Sequence, residues 1–309
     1  MKTNFRKFQL AILAIAAVTV FASCSKDDND DQKDPQNIVQ VASSNADFSI
    51  LVQALDKAGL VSTLEGSGPF TVFAPTNEAF TALFTQLGVS GINDLSAEAL
   101  KPILLNHVIS GNVKAADIAT GYAETFNNTA PGGNKVKLFI SKGSDVKVDE
   151  STVITADVMA SNGVIHAIDK VILPPSVVSH AINNPNFSIL VEAVVKAGLV
   201  DALSAAGPFT VFAPTNDAFN ALFAALGVTG ISDLTAEQLT PILLYHVVSG
   251  NVLASQVSTG TVPTLNTSSN ISVVAGSSGV QLNGSSNVVA TDVQAANGVI
   301  HVIDSVLLP

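Results

Sequence analysis

The chain has 309 residues, 47% of them hydrophobic and 13% charged, which excludes a disordered protein and leaves room for two domains of ordinary size. Its formal net charge is -11, from 14 Lys and Arg against 25 Asp and Glu, and a surface that acidic has no electrostatic hold on a phosphate backbone, so no nucleic acid is expected as a partner. Cys24 is the only cysteine, so an intrachain disulfide is excluded and a lone thiol is left to be reactive, paired between chains or modified.

Residues 1–23 read as a lipoprotein signal peptide. Lys2, Arg6 and Lys7 precede an apolar run from Leu10 to Phe21, which is short for a transmembrane helix. The competing reading is a short membrane anchor or a buried helix. The run ends in Phe21-Ala22-Ser23-Cys24, which is similar to a bacterial lipobox, although Phe21 stands where Leu or Val is more usual. That resemblance implies lipidation of Cys24 and attachment to a membrane. Two or three acyl chains hold firmly where one holds marginally. Residues 24–36 then form an acidic tether, expected to be disordered and solvated. Its Ser25–Asp34 run resembles the acidic export signal that sends lipoproteins of Bacteroidota to the outer face of the outer membrane. Without the three basic residues of the leader, the net charge becomes -14. Anionic headgroups would repel such a chain, so attachment has to be covalent or apolar.

The remainder is an internal repeat. Gly68-Pro69-Phe70-Thr71-Val72-Phe73-Ala74-Pro75-Thr76-Asn77 recurs from Gly207 to Asn216 at an offset of 139, and Phe48–Val52 and Pro102–Val108 recur at the same offset. Asn162–His166 recurs as Asn297–His301 at 135, so copy one is four residues longer somewhere between Val113 and Asp157. The copies are assigned to 37–174 and 175–309, joined at Pro174-Pro175, a short stiff linker.

In copy one, Phe48, Leu51, Val52 and Leu55 have helical spacing and Gly59 ends that helix. Gly68-Pro69 turns the chain into a short strand, Phe70–Ala74. Asn77, like Asn216 in copy two, is the expected N-cap of a helix burying Phe80, Leu83, Phe84 and Leu87, which Gly88 closes. In copy two the equivalents are Phe219, Leu222, Phe223 and Leu226. The next helix begins at Ser96 or Thr235, where Thr235 and Gln238 have capping-box spacing. Pro102 and Pro241 should kink or restart it. Beyond His107 and His246 the pattern alternates as strands do: Val136–Ser141, Val146–Val148, Ile271–Val274 and Val280–Leu282. Asn162-Gly163 and Asn297-Gly298 are type I′ hairpin signals. Helices first and strands second make each copy α+β.

Three motifs carry a family resemblance. Thr71–Phe80 and Thr210–Phe219 resemble the first signature block of fasciclin-like domains. Asn162–Asp169 and Asn297–Asp304 are similar to the second, and Tyr245-His246 to the Tyr-His pair between them. The resemblance runs from about Asn37 to Pro309. It implies two tandem fasciclin-like domains, each a β-sandwich wedge of about seven strands with helices packed against it. It further implies adhesion or matrix association at the cell surface without catalysis or cofactor. Some animal members use the Tyr-His region in receptor binding, which makes Tyr245, His246, His107 and Asn106 the candidate binding surface. Copy one departs from the pattern, with Asn106-His107 where Tyr-His is usual.

The remaining chemistry reads as structural. His107, His166, His246 and His301 lie in apolar runs without a partner at ligand spacing, as expected of neutral histidines bonded to backbone rather than of metal ligands. Gly163, Gly298, His166 and His301 are therefore assigned structural roles beside Asn77 and Asn216. Asp157, Asp169, Asp292 and Asp304 should satisfy local backbone donors. No Gly-x-Ser-x-Gly elbow, phosphate loop or zinc motif appears, so no catalytic residue, metal or cofactor is assigned. Pro131-Gly132-Gly133-Asn134 reads as a loop tip. The partner is an unidentified protein or polysaccharide. Two readings stay open: an adhesion or scaffold lipoprotein, and a glycan- or small-ligand-binding accessory protein in nutrient capture. Sugar sites commonly lay Trp or Tyr against the rings, and this chain has no Trp and only Tyr122 and Tyr245.

Overall fold

The computed structural model describes residues 35–277 and 279–309. The leader, Cys24 and the acidic run to Asp34 lie outside them. Copy one comprises α1 (Ile38–Ser44), α2 (Ser49–Lys57), α3 (Val61–Leu64), β1 (Phe70–Pro75), α4 (Asn77–Leu87), α5 (Ala97–Asn106), β2 (Val108–Ser110), β3 (Gly121–Glu124), β4 (Lys137–Lys142), β5 (Val146–Val148), β6 (Ser151–Ala160) and β7 (Gly163–Ile168). Copy two repeats the order as α6 (Val177–Asn183), α7 (Ser188–Lys196), α8 (Val200–Ser204), β8 (Phe209–Pro214), α9 (Asn216–Leu226), α10 (Ala236–Tyr245), β9 (Val247–Ser249), β10 (Gly260–Pro263), β11 (Asn270–Gly276), β12 (Gly279–Leu282), β13 (Ser286–Ala295) and β14 (Gly298–Ile303). No described helix is long and apolar enough to cross a membrane.

Each copy builds one seven-stranded sheet, ordered β2-β1-β7-β6-β5-β4-β3 and β10-β11-β12-β13-β14-β8-β9. Strand β1 lies parallel to β7 and antiparallel to β2. Both faces of β1 and β7 are covered, which is why they read as unbroken apolar runs. Phe70, Val72 and Ala74 point to the helical core with Phe48, Leu55, Phe80 and Leu104. Phe73, of opposite parity, points the other way and packs with Ile168 from β7 and Leu138, Ile140 and Val148 from β4 and β5. Residues from both ends of the sheet therefore share one core, and the sheet is folded over on itself as the expected wedge. The bend lies in β6, whose pairing with β7 slips on either side of Thr155, and such slips increase twist and bend a strand.

The helices follow the predicted periodicity, with Leu87 and Leu226 as exceptions: both are exposed at the last turn. Three local expectations are corrected. The N-cap of α4 is Thr76, whose Oγ1 accepts from the Ala79 amide at 3.3 Å. Asn77 is the first helical residue, and its side chain accepts from the Ile50 amide at 2.9 Å and donates to the Ala46 carbonyl at 2.8 Å, pinning the start of α2. Asn216 does the same for Ile189 and Pro185. Helix α5 runs through Pro102, and α10 through Pro241, without a restart. Proline at the sixth helical position gives up the bond to the carbonyl of Glu98 or Glu237 in the first turn and crowds it, yet the helix continues on both sides. Finally, Ala160 pairs with Gly163, leaving Ser161-Asn162 as the loop, and neither loop residue has the positive φ that a type I′ turn requires. The capping box of Thr235 and Gln238 is present.

Residues 35–309 form one compact unit, and the Pro174-Pro175 link is backed by a packed joint. On the outer face of copy one, Tyr122 and Phe139 are cross-strand partners with ring centroids 5.1 Å apart. His180 of α6 meets Tyr122 edge-on at 5.5 Å, and the Asn184 side chain donates to the Tyr122 hydroxyl at 3.1 Å. The same register places Thr261 opposite Ser272 in copy two. One copy thus presents an aromatic seat and the other a hydroxylated face. The β3–β4 connection also differs, spanning 125–136 against 264–269. The longer one carries Pro131 to the joint, where its carbonyl accepts from the Asn251 side chain at 3.4 Å. We expect Tyr122→Thr, which installs the copy-two residue, to weaken the coupling by about 2–3 kcal/mol through lost aromatic packing and an orphaned Asn184. Scanning calorimetry should show the single melt of the parent split into two.

Candidate functional site

Helices α5 and α10 end on the histidines singled out by the Tyr-His motif. At the end of α5 the His107 amide turns back to the Leu104 carbonyl, which frees the Ile103 carbonyl. The His107 ring fills that vacancy: Nδ1 donates to the Ile103 carbonyl at 2.8 Å and Nε2 accepts from the Ile172 amide at 2.9 Å. His246 repeats the arrangement with Ile242 and Leu307, at 2.8 and 2.9 Å. Each ring therefore ties the segment after the last strand to a helix end. Burial pushes both histidines down to about 4, against the weaker upward pull of the carbonyl bond. They are neutral, and both nitrogens are spent on backbone. Neither is a free base or a ready ligand.

The candidate binding surface is corrected accordingly. Asn106, His107, Tyr245 and His246 are all buried, at 0, 1, 3 and 2% exposure. Tyr245 lies in the core between the two ends of its sheet. Its hydroxyl donates to the Asn270 carbonyl at 2.9 Å and accepts from the Asn283 side chain at 2.9 Å. Asn106 is too short to repeat this. It reaches the Leu173 carbonyl at 3.4 Å, and its Oδ1 has no partner among the described residues. These four residues brace the fold from within and present nothing to a partner.

The second histidine pair is held in the opposite tautomer. His166 Nε2 donates to the Val113 carbonyl at 2.9 Å while Nδ1 accepts from the Asp157 amide at 3.2 Å. His301 makes the same bonds to Val252 and Asp292 at 2.9 and 3.4 Å, and its burial lowers its pKa. Asp157 and Asp292 take positive φ and accept from the Ala115 and Ala254 amides, each at 2.8 Å. Asp169 and Asp304 accept from the Thr152 and Asn287 amides. The aspartates thus satisfy backbone donors, as the sequence leads one to expect. Among the described residues no three metal-capable side chains converge.

Asn162 and Asn297 do more than the motif reveals. Asn162 Oδ1 accepts from the Ile38 amide at 2.9 Å, and Nδ2 donates to the carbonyls of Leu64 and Gly66, both at 2.7 Å. Asn297 makes the matching bonds to Val177, Leu203 and Ala205. One amide thereby joins the β6–β7 loop to the start of α1 and the end of α3. Gly163 and Gly298 lie beside these hubs: a Cβ there would fall 2.0 Å from the Phe70 carbonyl oxygen and 2.2 Å from that of Phe209.

Of the four buried side-chain atoms without a partner among the described residues, Asn106 Oδ1 and Asn127 Nδ2 belong to copy one, and Asp149 Oδ2 and His180 Nδ1 lie at the joint. His180 is fully buried, its Nε2 donates to the Gln294 carbonyl at 3.3 Å, and its Nδ1 has no partner among the described residues. Burial pushes it down to about 4. Burial likewise pushes the Tyr122 hydroxyl up to about 12. Asp149 takes φ 50° and accepts from the Phe139 amide at 2.9 Å. Burial pushes its carboxyl up to about 7, although the Phe139 amide and the Asn183 side chain pull it down. In copy two Asn283 takes the same φ and accepts from the Ser272 amide at 3.0 Å. An uncharged amide thus stands where copy one has a carboxyl. The one signal in the sequence that marks this joint is difference between the copies: His180 stands where copy one has Val41, and Tyr122 where copy two has Thr261.

The sequence profile of the fasciclin domain matches residues 46–174 and again 185–309. Protein sll1483 of Synechocystis sp. is 47% identical over 138 residues, which is 45% of this chain and 73% of that protein. The transforming growth factor-beta-induced protein ig-h3 of Sus scrofa is 32% identical over 270 residues, covering 86% of this chain and 37% of its own length. The fasciclin-like arabinogalactan protein CTB11 of Cercospora beticola is 29% identical over 296 residues, 89% of this chain and 76% of its own. The chain spans little more than a third of the porcine protein.

Proposed function

Because the chain belongs to the fasciclin domain family and carries the domain twice, we propose that it is a non-enzymatic adhesion protein that associates with matrix or envelope material at the cell surface. The observation that carries this reading is the joint. Tyr122, His180 and Asn184 set two domains as one body, which presents two faces at a fixed spacing, and a second contact by a tethered face is effectively intramolecular. The deep polar groups support the absence of catalysis, since His107, His166, His246 and His301 each spend both nitrogens on backbone. Lipid on Cys24 would hold the protein to the outer membrane, facing outward on its acidic tether.

The test uses the full chain with an epitope tag after Pro309, expressed beside Cys24→Ala. Surface labelling of intact cells is expected for the parent and lost in the variant, together with attachment of the cells to matrix. Protection from label and proteinase until lysis would place the protein in the periplasm and end the adhesion reading. A second reading, a glycan-binding accessory protein, is favoured by one specific feature, the cleft at the joint.

A further inference from the structure

Beside the joint lies a cleft of about 360 Å³, within the size range of small-ligand sites, which favour domain interfaces. Its floor is apolar, made by Ala79 and Leu83 of α4 and by Ile172, and α6 of copy two forms the opposite wall with Ser179 and Asn183. Three further side chains rim it: Gln86 from α4, Glu150 from the β5–β6 turn and Lys170 after β7. All three are exposed. None of the three side chains bonds to another described residue, and Glu150 and Lys170 form no ion pair with each other.

Copy two supplies an internal control. It has the same elements, and among the described residues no neighbouring domain walls the corresponding face. There Gln86 is replaced by Ala225 and Lys170 by Ser305, and the turn Asp149-Glu150 becomes Asn283-Gly284-Ser285. The free polar groups occur only in the copy where a neighbour completes the cleft. Stability does not require them, since the same fold stands without them.

We propose that this cleft binds a neutral polyhydroxylated ligand, about one or two sugar rings of a glycan. This rests on the surface-association reading and names its ligand. An amide, a carboxylate and an ammonium around an apolar floor match a ring whose hydroxyls both donate and accept and whose C–H faces are apolar. An anion would meet Glu150 at the rim, a cation would meet Lys170, and an apolar ligand would strip all three groups of water without replacing their bonds. Asp149, whose carboxyl burial raises to about 7, already accepts from the Phe139 amide, which leaves Glu150 and Lys170 as the opposed exposed charges at the rim.

The experiment titrates the full chain by calorimetry with manno-, xylo-, gluco- and galacto-oligosaccharides, in parallel with the variant Gln86→Ala/Glu150→Ser/Lys170→Ser. The variant takes copy-two chemistry at exposed positions, and an unchanged melting temperature establishes that it is folded. Saturable binding to at least one sugar series, weakened about 10-fold or more in the variant, is the expected result. No binding to any series at about 5 mM overturns the proposal, and so does binding that the variant retains. Binding of neutral peptides in place of sugars also overturns it. If the variant leaves cell attachment to matrix intact, adhesion stands and the cleft is not its site.

Discussion

Acidification from pH 7 to pH 4 should strip the protein of most of its stability. His107, His180 and His246 are neutral and buried, with pKa values of about 4 in the folded chain against about 6.5 when unfolded. A pKa depressed by folding contributes stability that is complete above the unfolded value and is lost as pH falls through the folded one. Each histidine accounts for about 3 kcal/mol over that window and about 2 kcal/mol by pH 5.

Asp149 works in the opposite sense. Its carboxyl is raised to about 7 by burial, so its contribution is complete below the unfolded value near 3.8 and is lost as pH rises through 7. One carboxyl worth at most about 4 kcal/mol offsets less than half of what three histidines lose. The net loss of about 5 kcal/mol is comparable to the whole stability of an ordinary domain. Urea melts at pH 7 and pH 4 measure it. A midpoint that does not move would mean that burial does not hold the histidines neutral.

Much of the fold was legible because the signals are local and occur twice. Apolar spacing located α2 and α4, and alternation located β4, β5, β11 and β12. The misreadings arise where a side chain chooses a distant partner over a near one. Thr76 and Asn77 are both good cap formers, and Asn77 lost that role because the Ile50 amide, 27 residues back, lies within its reach. Asn162 reads as half of a tight turn, while its partners at Ile38 and Leu64 lie 124 and 98 residues away. The family resemblance puts Tyr245 on the surface, whereas the ring is buried and packs with Ile271 and Leu282. The joint was written in the sequence, though in a form that a search for similarity passes over. Tyr122 and Phe139 form an aromatic pair where copy two has Thr261 and Ser272, and His180 is the one histidine without a repeat counterpart.

Replacing Gly163 by alanine should unfold copy one outright. The added Cβ would fall 2.0 Å from the Phe70 carbonyl oxygen, a backbone atom at the head of the central parallel pair, so β1 and β7 cannot keep their spacing. Gly143, where a Cβ meets nothing within 4 Å, is the control, and Gly143→Ala should change stability by less than about 0.5 kcal/mol. Gly163→Ala should cost about 4 kcal/mol or more, in the range reserved for damage to a core. Asn162, one residue earlier, separates the steric cause from the polar one. Asn162→Ala introduces no clash but orphans the Ile38 amide and the Leu64 and Gly66 carbonyls, a cost of about 3 kcal/mol. Asn162→Asp keeps the Ile38 bond and turns a carboxylate toward two carbonyl oxygens, so at pH 7 it should be less stable than the alanine variant despite being nearly isosteric. If aspartate is instead the milder change, the two donated bonds matter less than the accepted one. The hub would then act through Ile38 and the start of α1.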